Sequence, residues 1–225
     1  DDLFETQFNK MKYILEYAID NNMRYILQPG DLFDKHNCPY EVTERYIDLF
    51  NSFTTPVPIL CCLGQHDQRY HKQSTRNTPI GCLFAGIRQT GSKLLVSEPF
   101  EVVDPYTKSK IHIYGSSWGE ELPTIQDQSA FNILVTHRMV TKDGPLWAGQ
   151  IGNIEAKELI RQTKFRLIVS GDNHQHFKEE HRMRYLVNCG SLMRTGLDQV
   201  DHEPCFYVYD TEEHGKIEHH KIPIE

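Results

Sequence analysis

The sequence predicts an α/β (α+β) layered sandwich in which two mixed β-sheets are flanked by helices. Three observations lead there. Apolar runs alternate with helical spacing through the first part of the chain. From Leu94 onward, short strand-like runs dominate, with only an occasional helix. Four of the apolar runs end in a polar loop that carries Asp or His. Units of βα type followed mostly by strands are the pattern of packed sheets covered by helices.

Taken in order, Phe8, Met11, Ile14, Leu15, Ala18 and Ile19 recur at helical spacing and predict an amphipathic helix over residues 5–22. Tyr25 to Gln28 predicts a short strand. Val42, Tyr46, Leu49, Phe50 and Phe53 mark a second helix, with Pro56 and Pro58 beyond its end. Val57 to Leu63 is the next strand, and Pro79 to Gln89 a third helix. Leu94 to Val96, Phe100 to Val103 and Ile111 to Tyr114 are short strands. Asp104-Pro105-Tyr106 supplies turn chemistry between the last two, which makes them a hairpin. Ile133 to Val135 is a buried strand. Ile154 to Gln162 is helical, with Asn153 as its N-cap. Phe165 to Ser170, Tyr185 to Asn188, Cys205 to Tyr209 and Ile217 to His220 complete a strand-rich second half. Gly215 turns the chain before the last of them.

A length of 225 residues fits one domain, residues 1–225, with no repeat, low-complexity stretch or long linker. No apolar run approaches the ~20 residues a bilayer requires, so no membrane association is expected. Asp1-Asp2-Leu3-Phe4-Glu5 has neither the basic nor the apolar region of a signal peptide. The chain does not open with Met and reads as a processed or truncated piece. The six cysteines include no C-x-x-C pair, and Cys61 and Cys62 are adjacent in an apolar run. This is neither a zinc-ribbon spacing nor a disulfide framework. Reduced cysteines point to a cytoplasmic setting. A net charge of -7 argues against nucleic-acid binding through bulk charge. A local basic strip, Arg69, His71, Lys72 and Arg76, remains. Beside a metal site it could hold phosphates; the plainer reading is a solvated loop. The surrounding stretch, Arg69 to Thr78, is the longest without a pattern, and such loops often carry function.

The polar loops are Gly30-Asp31-Leu32-Phe33-Asp34, Gly64-Gln65-His66-Asp67, Thr136-His137 and Gly171-Asp172-Asn173-His174. Strands of one sheet bring their ends together, so these distant residues can meet. Asp31 offers two oxygens and can bridge two cations, with Asp34 as a ligand or support. A turn Asp that caps the next segment is the commoner role for such a residue. The Gln65 amide oxygen is a neutral ligand for a hard cation. His66 beside it can protonate a leaving group, and Asp67 can orient the imidazole. His137 and His174 bring imidazoles to strand ends, where they suit Mn²⁺, Fe²⁺ or Zn²⁺. Asp172 can reach a second ion, and His176 continues the alternation. His112, His181, His202, His214, His219 and His220 read as surface residues. A set of Asp, His and amide without Cys fits a two-metal hydrolytic centre better than a structural zinc. Phosphate-ester hydrolysis is the simplest matching chemistry.

The four loops, in this order and at about these spacings, resemble the calcineurin-like metallophosphoesterase superfamily over about residues 1 to 195. Its pattern is D-x-H, G-D-x-x-D, G-N-H-[DE], a lone His after a strand, and G-H-x-H. The Gly30 to Asp34 wording looks most like the SbcD-type nuclease branch of double-strand-break repair complexes. Gly64-Gln65-His66-Asp67 with Tyr70-His71, and the run Asn188 to Arg194, look like bacteriophage-type members. The resemblance implies that Asp31 bridges two metals and that His137 and His174 are ligands. Gln65 stands for the family's Asn and Asp172 for the first His of G-H-x-H. His66 would protonate the leaving oxygen or stabilise charge developing on the phosphate. It also implies two divalent ions, with Asp172 favouring Mn²⁺ or Mg²⁺ over the softer Fe²⁺ or Zn²⁺. DNA as substrate, roles in DNA repair and recombination, a homodimer and an SMC-like ATPase subunit follow from the same likeness. His36 is a further supporting candidate. The D-x-H element, which the family carries on a strand before its first helix, has no counterpart ahead of the first predicted helix. Two other readings stay open. One keeps the site but changes the substrate to a nucleotide, RNA or a phosphoprotein. The other is a non-catalytic scaffold or regulatory module with an incomplete metal site.

Overall fold

Helix α1 (Leu3–Asp20) begins at Asp2, whose Oδ1 accepts the Phe4 and Glu5 backbone N–H groups. Such a cap satisfies donors that the first helical turn leaves without partners. The computed structural model describes residues 2–88, 91–194, 196, 199–211 and 215–224. Gln89, at the end of the third predicted helix, and His214 lie outside them. The helix leads into β1 (Ile26–Gln28). After α2 (Tyr40–Asn51), β2 (Ile59–Cys61) pairs parallel with β1, and after α3 (Pro79–Gly86), β3 (Lys93–Leu94) pairs parallel with β2. Thr78 caps α3 and Pro79 sits in its first turn, where the missing N–H costs nothing. The helices cover this sheet through Leu15, Tyr46, Leu49, Phe50, Ile80 and Leu83, which pack on Ile59 and Cys61.

The second sheet is larger. It contains β4 (Phe100–Val103), β5 (Lys110–Ser116), β6 (Phe131–Thr136), β9 (Leu167–Ser170), β10 (Phe177–His181) and β11 (Arg184–Asn188). Its order is β10-β11-β9-β6-β5-β4, with a parallel centre and antiparallel edges. The β4–β5 hairpin expected from Asp104 is present, and Asp104 Oδ1 accepts from the Tyr106 and Thr107 N–H groups. Alternation along β6 divides its side chains between two cores. Ile133 and Val135 meet Leu60 and Cys62 between the sheets, while Leu134 faces the outer layer. There α4 (Ala156–Gln162) lays Leu159 and Ile160 over Leu134, Ile168 and Leu186. Each such side chain contributes about 1.5–3 kcal/mol when fully buried. This is the predicted layered α/β fold with helices on its sheets. A final hairpin, β12 (Cys205–Asp210) with β13 (Lys216–Lys221), turns Tyr207, Tyr209 and Ile217 onto the inter-sheet core. A cavity of about 500 Å³ separates β1 from β12; Ile26, Leu27, Phe206 and Val208 line it. Among the described residues, no helix is long and apolar enough to cross a membrane.

Three local expectations change. His112 and His202, expected at the surface, are buried, His112 within β5 and His202 with Nε2 2.7 Å from Ser191 O. The helix predicted from Ile154 starts later, because Ile154–Glu155 (β8) pairs with Val140–Thr141 (β7). Glu155 is the N-cap, and Asn153 instead donates from Nδ2 to Thr141 Oγ1. Strand β10 was not anticipated. Lys178, Glu179 and Glu180 follow Phe177, so it buries little apolar surface and sits at the sheet edge.

Candidate metal centre

The four polar loops leave the C-terminal ends of β1, β2, β6 and β9, all parallel within their own sheets. In α/β sheets the crevice beyond the carboxyl ends of the strands is where ligands bind. Backbone bonds fix the alignment on the larger sheet. His137 N–H donates to Ser116 O at 3.0 Å and Gly171 N–H donates to Thr136 O at 3.0 Å.

The side chains converge on Asp31. His137 Nε2 lies 3.1 Å from Asp31 Oδ2 and 3.9 Å from Asp172 Oδ1. Gln65 Nε2 donates to Asp172 Oδ1 at 3.1 Å. His66 backbone N–H donates to Asp31 Oδ1 at 2.8 Å, and its ring Nε2 stands 3.9 Å from Asp31 Oδ2. His137 is buried, with Nδ1 2.6 Å from Pro29 O. A carbonyl only accepts, so Nδ1 carries a proton, and in the neutral ring the Nε2 lone pair faces the carboxylates. Burial disfavours the imidazolium, but Asp31, the Pro29 carbonyl and Asp172 outweigh it and raise the His137 pKa. His174 follows Asp172 on the same loop and is exposed.

Three glycines make this approach possible. A Cβ on Gly30 would lie 2.6 Å from both Gly64 N and His137 Nδ1. One on Gly64 would lie 2.0 Å from Asp31 Oδ1, and one on Gly171 2.6 Å from Pro29 O. Asp31 and Asp172 both adopt positive φ, 52° and 73°. Asp tolerates this region better than most residues, and such backbone strain clusters at functional sites.

The remaining predicted site residues fall into distinct places. Asp67 does not meet the His66 ring. It is buried, and its oxygens accept the backbone N–H groups of Asp31 (2.7 Å), Gly64 (3.0 Å) and Phe33 (3.4 Å). It therefore clamps the first two loops together. Burial raises its pKa to about 6, against the lowering effect of those N–H groups. Asp34 is exposed and pairs with Lys35. His36 is half-buried beside the Tyr70 ring, 6.4 Å away. His176 meets His202 and His219 instead of Asp31. Arg69 lies over the Tyr70 ring and His71 beside Trp118, while Lys72 and Arg76 are exposed.

Sequence reading missed the residues that hold the fourth loop. Asn188, fully buried at the end of β11, donates from Nδ2 to Asn173 O and Gln175 O, both at 2.7 Å, and accepts from Ser170 Oγ. Asn173 donates to Val140 O and accepts from Gln175 N–H. The available signal was a polar Asn ending an apolar strand, where a buried amide must find partners.

Two buried atoms here have no hydrogen-bond partner, Gln65 Oε1 and His137 Nε2. The 3.1 Å separation of His137 Nε2 from Asp31 Oδ2 lacks hydrogen-bond alignment, so it leaves that nitrogen without a partner. Buried polar atoms are rarely left so. An amide oxygen and an imidazole lone pair beside two carboxylates are a donor set suited to a divalent cation. Asp31, Gln65, His137 and Asp172 fit such an ion directly, and His174 lies on the same loop as Asp172.

Comparison with known proteins agrees with this chemistry. The calcineurin-like phosphoesterase family model matches residues 2–176. The DNA double-strand break repair protein Mre11 of Methanosarcina mazei is 22% identical over 200 residues, 86% of this chain and 31% of its own length. Mre11 of Methanosarcina acetivorans is 24% identical over 176 residues, 76% of this chain and 27% of its own length. The chain thus spans about a third or less of these curated relatives. TT1561 of Thermus thermophilus shares the fold at a TM-score of 0.59 and 13% identity, over 96% of this chain and 94% of its own. GAP50 of Plasmodium does so at 0.52 and 14%, over 100% and 86%. With the family model matched over most of its length, the chain belongs to the calcineurin-like phosphoesterase family.

Proposed function

We propose that this chain is a metal-dependent phosphodiesterase acting on DNA as an exo- or endonuclease. The observation that carries the reading is the pair of orphaned buried ligand atoms, Gln65 Oε1 and His137 Nε2, beside Asp31 and Asp172. Asp31, Gln65, His137, Asp172 and His174 would hold two divalent ions, Mn²⁺ first, with Mg²⁺, Fe²⁺ or Zn²⁺ as substitutes. When bound, the ions supply an activated water and neutralise charge on the phosphoryl group. The protein's own part is orientation. Pro29 O fixes the His137 tautomer, Asp172 turns the Gln65 amide so that its oxygen is left for the ion, and Asp67 sets the distance between the first two loops. His66, half exposed at the rim, donates its proton to the departing oxygen.

The names of the Mre11 relatives support DNA as the polymer. So does the exposed Tyr70 beside Arg69, since base stacking on aromatics is a common mode of strand binding. Arg69, His71, Lys72 and Arg76 then hold phosphates. Residues 1–225 act as one domain in the cytoplasm of a bacterium or of a phage-infected host. A homodimer and an SMC-like ATPase partner belong to the same reading, with roles in DNA repair and recombination.

The test is His66→Ala in the full chain loaded with Mn²⁺. Turnover of DNA and of a simple phosphodiester should fall about 10²–10⁴-fold, as for loss of a general acid, with Mn²⁺ affinity kept. Equal loss of binding and turnover would refute the role of His66. A wild-type chain that binds Mn²⁺ yet cleaves neither substrate would refute the nuclease reading.

A further inference from the structure

A second cluster of donors lies apart from Asp31 and differs from it in kind. His176 ends the loop before β10, Cys205 opens β12, and His219 lies on β13. Each brings one ligand atom, and these atoms lie within 4.8 Å of one another. The β12–β13 register explains two of the three. Cys205 pairs with Lys221 and Tyr207 with His219, so Cys205 and His219 are diagonal neighbours on one face. That face is the one that turns Tyr207 and Tyr209 towards the larger sheet. Cys205 is buried, and its thiol makes a weak contact with Cys189 O at 3.4 Å. The His176 and His219 rings lie 5.1 Å apart and 30° from parallel.

Neighbouring groups settle the His176 tautomer. His202 Nε2 lies 2.7 Å from Ser191 O, so that nitrogen carries the proton and Nδ1 is an acceptor. His176 Nδ1 stands 3.4 Å from His202 Nδ1 and must be the donor there. Its lone pair is then on Nε2, available to a ligand. A histidine whose other nitrogen donates to a fixed acceptor is the usual arrangement at a metal.

We propose that His176, Cys205 and His219 form a soft cation site, for Zn²⁺, independent of the Asp31 centre. Two imidazoles and a thiolate suit zinc, whereas the carboxylate and amide oxygens around Asp31 suit harder ions. Tetrahedral zinc with such ligands sets donor separations of about 3.3–3.8 Å, so the three atoms need to close by no more than about 1–1.5 Å. His219 is exposed and has room to make that move. A water completes the coordination. The Cys205 thiol proton leaves to solvent as the ion binds. The site joins the terminal hairpin to the start of β10, and so ties the C-terminal segment to the larger sheet.

Cobalt(II) is the probe. Added to the full chain, Co²⁺ should give a thiolate-to-cobalt charge-transfer absorption. The band should be lost in Cys205→Ser and kept in His137→Ala. In equilibrium dialysis of the His137→Ala chain, which weakens the Asp31 centre, Zn²⁺ affinity should fall at least tenfold when the exposed His219 is also replaced by Ala. No thiolate band at saturating Co²⁺, or an unchanged band in Cys205→Ser, overturns the site. If Cys205→Ser does not fold, His219→Ala decides alone, and unchanged Zn²⁺ affinity there overturns it.

Discussion

Gly64→Ala isolates the close approach that brings two loops together. The added Cβ would lie 2.0 Å from Asp31 Oδ1, 2.4 Å from Asp31 Cγ and 2.5 Å from Asp31 N. Two of these contacts are with the side chain, and the third is with backbone that cannot swing away. Gly64 does not adopt positive φ, so steric overlap is the whole effect. Overpacking of this kind costs about 1–3 kcal/mol. Displacing the carboxylate also breaks its bond from His66 N–H, worth about 1.5–3 kcal/mol for a charged acceptor. The expected loss is therefore about 2.5–6 kcal/mol, read by urea denaturation of the metal-free chain. Moving Asp31 also moves the carboxylate from His137 Nε2, so Mn²⁺ affinity should fall at least about tenfold, read by calorimetry. Gly149→Ala is the control: its cost is backbone strain at positive φ alone, since nothing lies within 4 Å of its added Cβ. In an Asp31→Ala background the Gly64→Ala penalty should shrink but persist, because the contact with Asp31 N remains. Wild-type stability and Mn²⁺ affinity in Gly64→Ala would refute the idea that this glycine sets the Asp31 position.

Asn188→Leu should destabilise by about 3–5 kcal/mol, because Asn173 O and Gln175 O lose their partners in the interior. Thermal melting checks this, and a loss under about 1 kcal/mol would show that the fourth loop does not depend on Asn188. Gln65→Glu places a carboxylate where an amide now donates to Asp172. The metal-free variant should melt lower than wild type, and added Mn²⁺ should raise its melting point by more; an equal rise in both counts against Gln65 as a ligand. The Asp67 carboxyl, raised by burial to about 6, contributes most to metal-free stability below the ordinary Asp range. That contribution, about 3 kcal/mol for a carboxyl held this far above its ordinary value, is lost as pH rises through 6. Denaturation at pH 4, 5, 6 and 7 should show the decline, and Asp67→Asn should flatten it; a slope unchanged in that variant assigns it to another group.

Much of the layout was legible because local pattern and global fold agree. The helical spacing from Phe8 to Ile19 gave α1, and Asp104 gave the β4–β5 turn. The apolar runs ending at Leu63, Val135 and Val169 belong to β2, β6 and β9, and their Asp and His residues do emerge at the ends of parallel strands. These features depend on near neighbours, so periodicity and turn chemistry record them. Strand β10 escaped because its residues are mostly charged. The helix at Ile154 began late because a two-residue pairing with Val140–Thr141 leaves no periodic trace.

The sequence by itself determined which chemical groups arrive at the strand ends: carboxylates at Asp31 and Asp172, an amide at Gln65 and imidazoles at His66, His137 and His174. Only the tertiary structure decided how they are used. It directed Asp67 onto three backbone N–H groups and away from the His66 ring. It carried His176 to Cys205 and His219, residues 29 and 43 positions further along. It also gave Gly30, Gly64 and Gly171 their purpose, which is the absence of a Cβ where two loops and an imidazole touch. Such roles rest on contacts between residues far apart in the chain. Nothing in local periodicity encodes the distance at which those residues meet.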